Sequence, residues 1–85
     1  MPRAVLYTTR VCPYCLAAKE LLRRKGVAFE EIDVTDQPEA RARLRERTGR
    51  ATVPQIFIGD FHVGGFDDLQ ALESRGELDR RLQGA

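Results

Sequence analysis

Residues 3–26 have the sequence RAVLYTTRVCPYCLAAKELLRRKG, and this stretch decides the fold. Its first part, residues 3–8, is a short and nearly continuous apolar run, which predicts a central strand buried on both faces. A helix is predicted over residues 13–25, because apolar residues recur there at helical spacing, Pro13 suits the first helical position and Gly26 suits the C-cap. The stretch therefore predicts a strand that leads through two cysteines into a helix.

The rest of the chain continues to alternate between strand and helix patterns. A hairpin is predicted at residues 55–63, because two short runs flank Gly59-Asp60, and a two-residue turn with Gly first is typical of type II′. The first strand–helix–strand unit is expected to be parallel and right-handed. The sequence thus predicts an α/β fold, β-α-β-α-β-β-α with a terminal extra turn, in which helices flank both faces of a four-stranded mixed sheet. The elements after the first helix are a strand over 28–34, a helix from 35–36 to 48–49, strands over 55–58 and 61–63, a helix from 67–68 to 75–76, and a last turn around 78–82.

Length and composition restrict the class of protein. We expect one domain over residues 1–85, and disorder is excluded because apolar residues, 42% of the chain, recur throughout. The net charge of +1 gives little attraction to nucleic acid, so no nucleic-acid partner is expected. Residues 41–50 nevertheless hold five arginines and one glutamate. This run is either a solvated helix face or a local anchor for a small anionic ligand.

The interpretation of the two cysteines depends on the cellular location that the sequence predicts. Neither a secretory signal nor a stretch long enough to span a membrane is visible, so a cytoplasmic location is expected and no membrane partner. Thiols are kept reduced there, and two cysteines three apart are then more typical of a catalytic or metal-binding pair than of a structural disulfide. A zinc site needs four ligands, and the one further candidate is His62, so no metal site within one chain is expected. His62 is interpreted as a half-exposed structural residue.

Cys12 and Cys15 are the candidate catalytic residues. Cysteines at i and i+3 of a helix start lie close enough to form one disulfide. Cys12 is expected at the cap position, where free N–H groups and the positive end of the helix dipole favour the thiolate, the form that attacks disulfides. Arg10 is a second nearby source of positive charge. Cys15 lies one turn further in and suits the role of a resolving thiol.

Three motifs together carry a resemblance to a known family. Residues 7–15, which end in Cys-Pro-Tyr-Cys, resemble the active-site region of dithiol glutaredoxins. Residues 52–54, Thr-Val-Pro, are similar to the family's second motif, and residues 64–69, GGFDDL, to its third. The spacing matches along essentially the whole chain, and the match is to the short bacterial glutaredoxin 3 type. The resemblance implies a thioredoxin-like fold, in agreement with the predicted element order.

The resemblance also implies a glutathione site. In the family, the proline of the second motif is cis, and the residue before it pairs its backbone with the cysteinyl part of glutathione. The helix that begins in the third motif binds the γ-glutamyl end of glutathione. The N–H groups at the start of this helix bind the γ-glutamyl carboxylate, and an aspartate pairs with the ammonium group. A cation on the second helix receives the glycine carboxylate. The glutathione-binding residues implied here are Tyr14, Arg41, Thr52, Val53, Pro54, Gly65, Phe66 and Asp67.

One position departs from the family pattern. Many members carry Lys three residues before the first cysteine, where this chain has Thr9. Arg10 is a candidate replacement for that charge, and Arg50 is a further candidate contributor. The cation that faces the thiolate and the glycine carboxylate is therefore left open by the sequence.

The implied function is glutathione-dependent reduction of protein disulfides and of glutathione mixed disulfides. No tightly bound cofactor is expected, and glutathione is the expected co-substrate. The expected partners are disulfide-containing or glutathionylated proteins, with ribonucleotide reductase as one candidate. The chain is expected to be a monomer. One alternative is a redoxin reduced by thioredoxin reductase. Tyr14 and the Gly-Gly-x-Asp segment argue against it, because they resemble a glutathione site. The other is a carrier in which two chains share a 2Fe–2S cluster through Cys12 and glutathione. Pro13 and Cys15 argue against this carrier.

Overall fold

The computed structural model describes residues 2–84, and within them the chain forms four strands and four helices. The predicted order of elements is confirmed, and the terminal turn is a short helix. In chain order the elements are β1 (Ala4–Thr8), α1 (Pro13–Arg24), β2 (Phe29–Asp33), α2 (Pro38–Thr48), β3 (Gln55–Ile58), β4 (Phe61–Gly64), α3 (Phe66–Ser74) and α4 (Leu78–Leu82).

The four strands form one mixed sheet in the order β2-β1-β3-β4. Strand β1 pairs parallel with β2 and antiparallel with β3, and β3 pairs antiparallel with β4. The predicted thioredoxin-like arrangement is therefore confirmed, with β1 in the interior of the sheet. None of the helices in the described part of the chain is long and apolar enough to cross a membrane.

The main core lies on one face of the sheet. Leu6 and Ile56 are directly opposite each other on β1 and β3, and both are fully buried. Residues directly opposite in an antiparallel pair share a face. Leu22 of α1 and Leu69 of α3 belong to the same core cluster, so these two helices cover this face. The opposite face carries Tyr7, which lines a small cavity with Leu44 of α2.

Two details differ from the sequence prediction. Strand β1 is fully buried on one face only, because Val5 and Tyr7 on the other face are half-buried. Helix α2, which lies near Tyr7, buries Leu44 alone among its own residues. Helix α2 begins at Pro38 rather than near Thr35-Asp36. Proline suits the first turn of a helix, since its missing N–H is not needed there.

The hairpin turn has the expected backbone signature. Gly59 has a φ of 58°, whereas Asp60 does not have a positive φ. A positive φ at the first central residue alone is typical of a type II′ turn, which matches the twist of the flanking strands.

Candidate active site

Cys12 and Cys15 lie at the start of α1 and form a disulfide. Cys12 is the N-cap, with extended backbone, and Pro13 follows in the first turn. The N–H of Cys15 donates to the Cys12 Sγ atom at 3.1 Å. Cys15 is 1% exposed and Cys12 is half-buried. The two sulfurs therefore differ in access, and Cys12 is the outer one.

A polar cluster supports the end of β1, directly before the loop that carries the cysteines. The hydroxyl of the buried Thr8 donates to the Glu31 carboxylate at 2.7 Å, and Lys19 Nζ donates to the same oxygen at 3.0 Å. The Thr8 hydrogen bond is the main reason that the pKa of Glu31 lies below its usual value; burial opposes this effect and Lys19 adds to it. The cluster links β1, β2 and α1.

The second predicted motif lies beside the disulfide. The peptide bond between Val53 and Pro54 is cis, as the resemblance implied. The Sγ atom of Cys12 lies 3.8 Å from the carbonyl oxygen of Val53. Pro54 is buried and Thr52 is exposed, so the loop presents the backbone of residues 52–53 at the surface next to the cysteines.

The start of α3 forms the third side of the site. The backbone N–H of Gly65 donates to Asp68 Oδ2 at 2.9 Å, and Arg50 Nη1 donates to the same oxygen at 2.9 Å. These bonds, first that of Arg50 and then that of Gly65, hold the pKa of Asp68 below its usual value, while burial opposes them. Asp68 is thus the capping carboxylate. Asp67, its exposed neighbour, makes no hydrogen bond or ion pair with residues 2–84.

The three motifs meet around one cavity of about 330 Å³. The rings of Tyr14 and Phe66, from α1 and α3, approach to 6.4 Å between centroids on its wall. Seven of the predicted glutathione-binding residues line the cavity, together with Arg50 and Asp68: they are Tyr14, Thr52, Val53, Pro54, Gly65, Phe66 and Asp67. The tertiary structure therefore brings together residues from distant parts of the sequence.

Arg41 and Arg10 lie outside this cavity. Both line a neighbouring shallow cavity with Thr9. The guanidinium of Arg10 forms an ion pair with Asp36, and its backbone N–H donates to the Thr35 hydroxyl at 2.8 Å. Arg10 is therefore directed towards the β2–α2 connection. Arg41 forms no ion pair with any side chain in the described range, so no described carboxylate neutralises its charge.

Sequence reasoning missed the role of Gln55. This residue is 0% exposed at the start of β3, and its side chain bonds to Thr52 and to His62. A polar residue in the otherwise apolar run Gln55–Ile58 was the available signal. His62 is half-buried, as expected; burial is the main cause that lowers its pKa, Arg50 and Arg47 lower it further, and Asp68 opposes them. Residues 2–84 contain no group of three or more His, Cys, Asp or Glu side chains arranged to hold a metal ion.

Comparison with known proteins connects this geometry to a family. The family model for glutaredoxin matches residues 4–63. A glutaredoxin of Pseudomonas aeruginosa is 58% identical over 82 residues, which cover 96% of this chain and 98% of the relative. Glutaredoxin 3 of Escherichia coli strain K12 is 48% identical over 83 residues, covering 98% and 100% of the two chains.

Solved structures agree with the sequence matches. The solution structure of a glutaredoxin from Brucella melitensis has a TM-score of 0.87 at 57% identity, covering 96% of this chain and 89% of the other. The crystal structure of a buckwheat glutaredoxin–glutathione complex has a TM-score of 0.91 at 31% identity, covering 98% and 78%. Because the family model matches residues 4–63 and the relatives match nearly the whole chain, the chain belongs to the glutaredoxin family of thiol–disulfide oxidoreductases.

Proposed function

We propose that residues 1–85 act as one glutathione-dependent domain that reduces protein disulfides and glutathione mixed disulfides, with Cys12 as nucleophile and Cys15 as resolving thiol. The observation that carries the proposal is the cavity beside Cys12. It combines a peptide backbone at Val53, a helix N-terminus at Gly65 and the Asp67 carboxylate, which has no partner within residues 2–84. These groups complement, in turn, a peptide unit, a carboxylate and an ammonium group, which glutathione contains.

Each part of glutathione then has a counterpart at the site. The cysteinyl unit pairs with the backbone of Val53 next to Thr52 and Pro54, as an added strand would. The γ-glutamyl carboxylate meets the N–H groups at the start of α3, around Gly65 and Phe66, where the helix dipole favours an anion. Asp67 receives the ammonium group, Tyr14 forms the opposite wall and Arg41 faces the glycine carboxylate. The buckwheat protein, solved in complex with glutathione, has the same fold and supports glutathione as the ligand.

The geometry at α1 suits Cys12 for attack. In this disulfide form, the Cys15 N–H and the helix N-terminus face the Cys12 sulfur, and the same groups stabilise the Cys12 thiolate after reduction. The thiolate attacks the glutathione sulfur of a mixed disulfide, a new Cys12–glutathione bond forms, and the substrate leaves as a thiolate that takes up a proton. A second glutathione thiolate attacks the bound glutathione sulfur. This attack releases oxidised glutathione and regenerates the Cys12 thiolate.

Protein disulfides require Cys15. Attack by Cys12 yields a mixed disulfide with the protein, and the Cys15 thiolate then attacks the Cys12 sulfur. The protein leaves as a dithiol, and the Cys12–Cys15 disulfide present in this structure forms. Two glutathione molecules reduce this disulfide and leave as oxidised glutathione.

A coupled assay tests the proposal. Turnover of a small glutathione mixed disulfide is followed with glutathione, glutathione reductase and NADPH. Turnover that depends on glutathione is expected, whereas activity restored only by thioredoxin reductase would favour the redoxin alternative.

Two cysteine variants test the assigned roles. Cys12→Ser should abolish reduction of both substrate types, because the nucleophile is lost. Cys15→Ser should retain deglutathionylation and lose most protein-disulfide reduction, because only the second reaction uses the resolving thiol. Substantial activity of Cys12→Ser on both substrates, or loss of both activities in Cys15→Ser, would contradict the assignments.

A further inference from the structure

A buried amide connects the peptide-binding loop to strand β4. Thr8 and Gln55 are the two buried polar residues within the described range, and Gln55 is 0% exposed. Its Nε2 donates to the Thr52 carbonyl at 2.9 Å, with a longer contact of 3.4 Å to the Thr52 hydroxyl. Its Oε1 lies 2.7 Å from His62 Nε2. A buried amide is costly unless it is hydrogen-bonded, and this one is satisfied at both ends by these partners.

The directions of these bonds follow from their chemistry. The Thr52 carbonyl can only accept, so the side-chain nitrogen of Gln55 must face it. The side-chain oxygen then faces His62 and can only accept, so Nε2 of His62 carries the proton and donates. The reversed amide would place two oxygens against each other at Thr52. The three residues therefore form a directed chain from the imidazole to the loop carbonyl.

This chain of hydrogen bonds determines where the Val53 N–H points. Among the described residues the one cis peptide bond is that between Val53 and Pro54, so the bond between Thr52 and Val53 is trans. Across a trans peptide, the carbonyl and the following N–H point in opposite directions. Because the Thr52 carbonyl is turned inward to Gln55, the Val53 N–H is turned outward. It donates to no acceptor within residues 2–84.

The His62 imidazole, which donates the first of these hydrogen bonds, is itself held in place. The His62 ring stacks on Phe57, with centroids 4.9 Å apart, and these two residues are cross-strand partners. The Arg47 guanidinium also lies over the Phe57 ring, 4.0 Å from its centroid, and the Tyr7 ring contacts it edge-on at 5.8 Å between centroids. A stacked, half-buried ring on a paired strand has little rotational freedom, so its Nε2–H is aimed at Gln55.

We propose that His62, acting through Gln55, is a positioning residue for glutathione, because it holds the Thr52 carbonyl inward and thereby presents the Val53 N–H to the cysteinyl unit. This role deepens the proposed function and rests on it. The role concerns binding of the glutathione moiety, whereas the chemistry at Cys12 does not depend on it. Its loss is therefore expected to raise KM and to leave kcat and formation of the Cys12 thiolate unchanged.

Three variants separate hydrogen bonding from ring packing. His62→Phe keeps a ring against Phe57 and removes the donor, and KM for a glutathione mixed disulfide should rise about 3- to 10-fold, as loss of one neutral hydrogen bond predicts. His62→Gln places an amide N–H close to the former Nε2 and should stay within about twofold of the wild-type KM. Gln55→Met removes the amide at similar side-chain volume, so the Thr52 carbonyl and His62 Nε2 both lose their partner, and it should reproduce the effect of His62→Phe.

A control in the same hairpin accounts for general loss of stability. Ile58→Val removes one buried methyl group at a position outside the chain of hydrogen bonds; it should lower stability and retain the wild-type KM. The backbone amide resonance of Val53 should shift in His62→Phe and Gln55→Met, and should remain in place in Ile58→Val.

The outcomes distinguish this proposal from the proposed function. A wild-type KM in His62→Phe and Gln55→Met, an equal rise in Ile58→Val, or a fall in kcat at constant KM would overturn the positioning role alone. Absence of glutathione-dependent turnover in the wild-type protein would instead refute the proposed function. If His62→Phe does not fold, Gln55→Met provides the same test.

Discussion

Replacement of Gly64 by alanine should destabilise the fold, whereas the same change at the adjacent Gly65 should not. Gly64 has a φ of 115°, a region that other residues rarely adopt and that costs them about 1–3 kcal/mol. A Cβ atom there would also collide with the Asp68 carboxylate and lie 3.0 Å from Arg50 Nη1. Gly65 has a φ of −91° and extended backbone, and its Cβ would lie 3.7 Å from the Pro54 carbonyl oxygen, an ordinary contact.

The size of the effect follows from what the new methyl group displaces. Movement of Asp68 removes the helix cap, worth about 1 kcal/mol, and a partly exposed ion pair with Arg50, worth about 0–1 kcal/mol. With the backbone strain, the expected loss for Gly64→Ala is about 2–5 kcal/mol. Gly65→Ala should be near neutral, because the lower entropy of the unfolded chain, worth about 0.4–1 kcal/mol, offsets the weaker N-cap preference of alanine.

Urea denaturation followed by circular dichroism measures both variants. A small domain has an m-value of about 1–3 kcal/mol per M, so the midpoint of Gly64→Ala should fall by roughly 1 M or more at unchanged slope. Gly65→Ala is the matched control, since it adds the same atoms one residue away. The reasoning would be refuted if Gly64→Ala lay within about 0.5 kcal/mol of the wild type, or if the two variants lost equal stability.

Two further predictions concern charge at the site. Asp68→Asn keeps a side-chain acceptor for the Gly65 N–H and loses the charge that pairs with Arg50, so it should lower the free energy of unfolding by up to about 1 kcal/mol at neutral pH. Arg50 and the Gly65 N–H hold the pKa of Asp68 below its ordinary 3.8. The stabilisation from the charge is therefore present above that value and is lost as pH falls through the folded-state pKa. Urea denaturation across pH should show the gap to the wild type closing below 3.8, and a constant gap would contradict this origin. Thr9→Lys adds a cation beside Arg41 and should lower KM for the glutathione mixed disulfide about 1.5- to 5-fold. The decrease in KM should be smaller at high salt, because salt screens exposed charges. An unchanged KM at low salt would show that position 9 does not face the ligand.

The strand–cysteine–helix unit was predictable because its signals are local. The apolar run of β1, the proline after Cys12 and the glycine after α1 act on the backbone within a few residues of themselves. The same holds for the hairpin turn, where the φ of Gly59 depends on the turn alone. Local signals were less reliable for α2, in which Pro38 rather than Thr35-Asp36 begins the helix.

Neighbouring residues of like chemistry could not be separated from the sequence. Asp67 and Asp68 are both carboxylates at a helix start, and each could have been the cap. Asp68 is the cap in the structure, and Arg50, which lies 18 residues away, bonds to it. In the same way, Arg10 was a candidate for the missing lysine charge, and only the fold showed that its guanidinium forms an ion pair with Asp36.

The sequence by itself determined the order of elements, the pair of cysteines at a helix start and the three motifs that identify the family. The tertiary structure alone decided which groups of these motifs meet, such as the Cys12 sulfur and the Val53 carbonyl, 41 residues apart. It also decided that a buried Gln55 joins His62 to Thr52. The physical reason is range: periodicity, caps and turns act along the backbone, whereas hydrogen bonds and ion pairs between distant residues exist only after the sheet has aligned its strands and buried their faces.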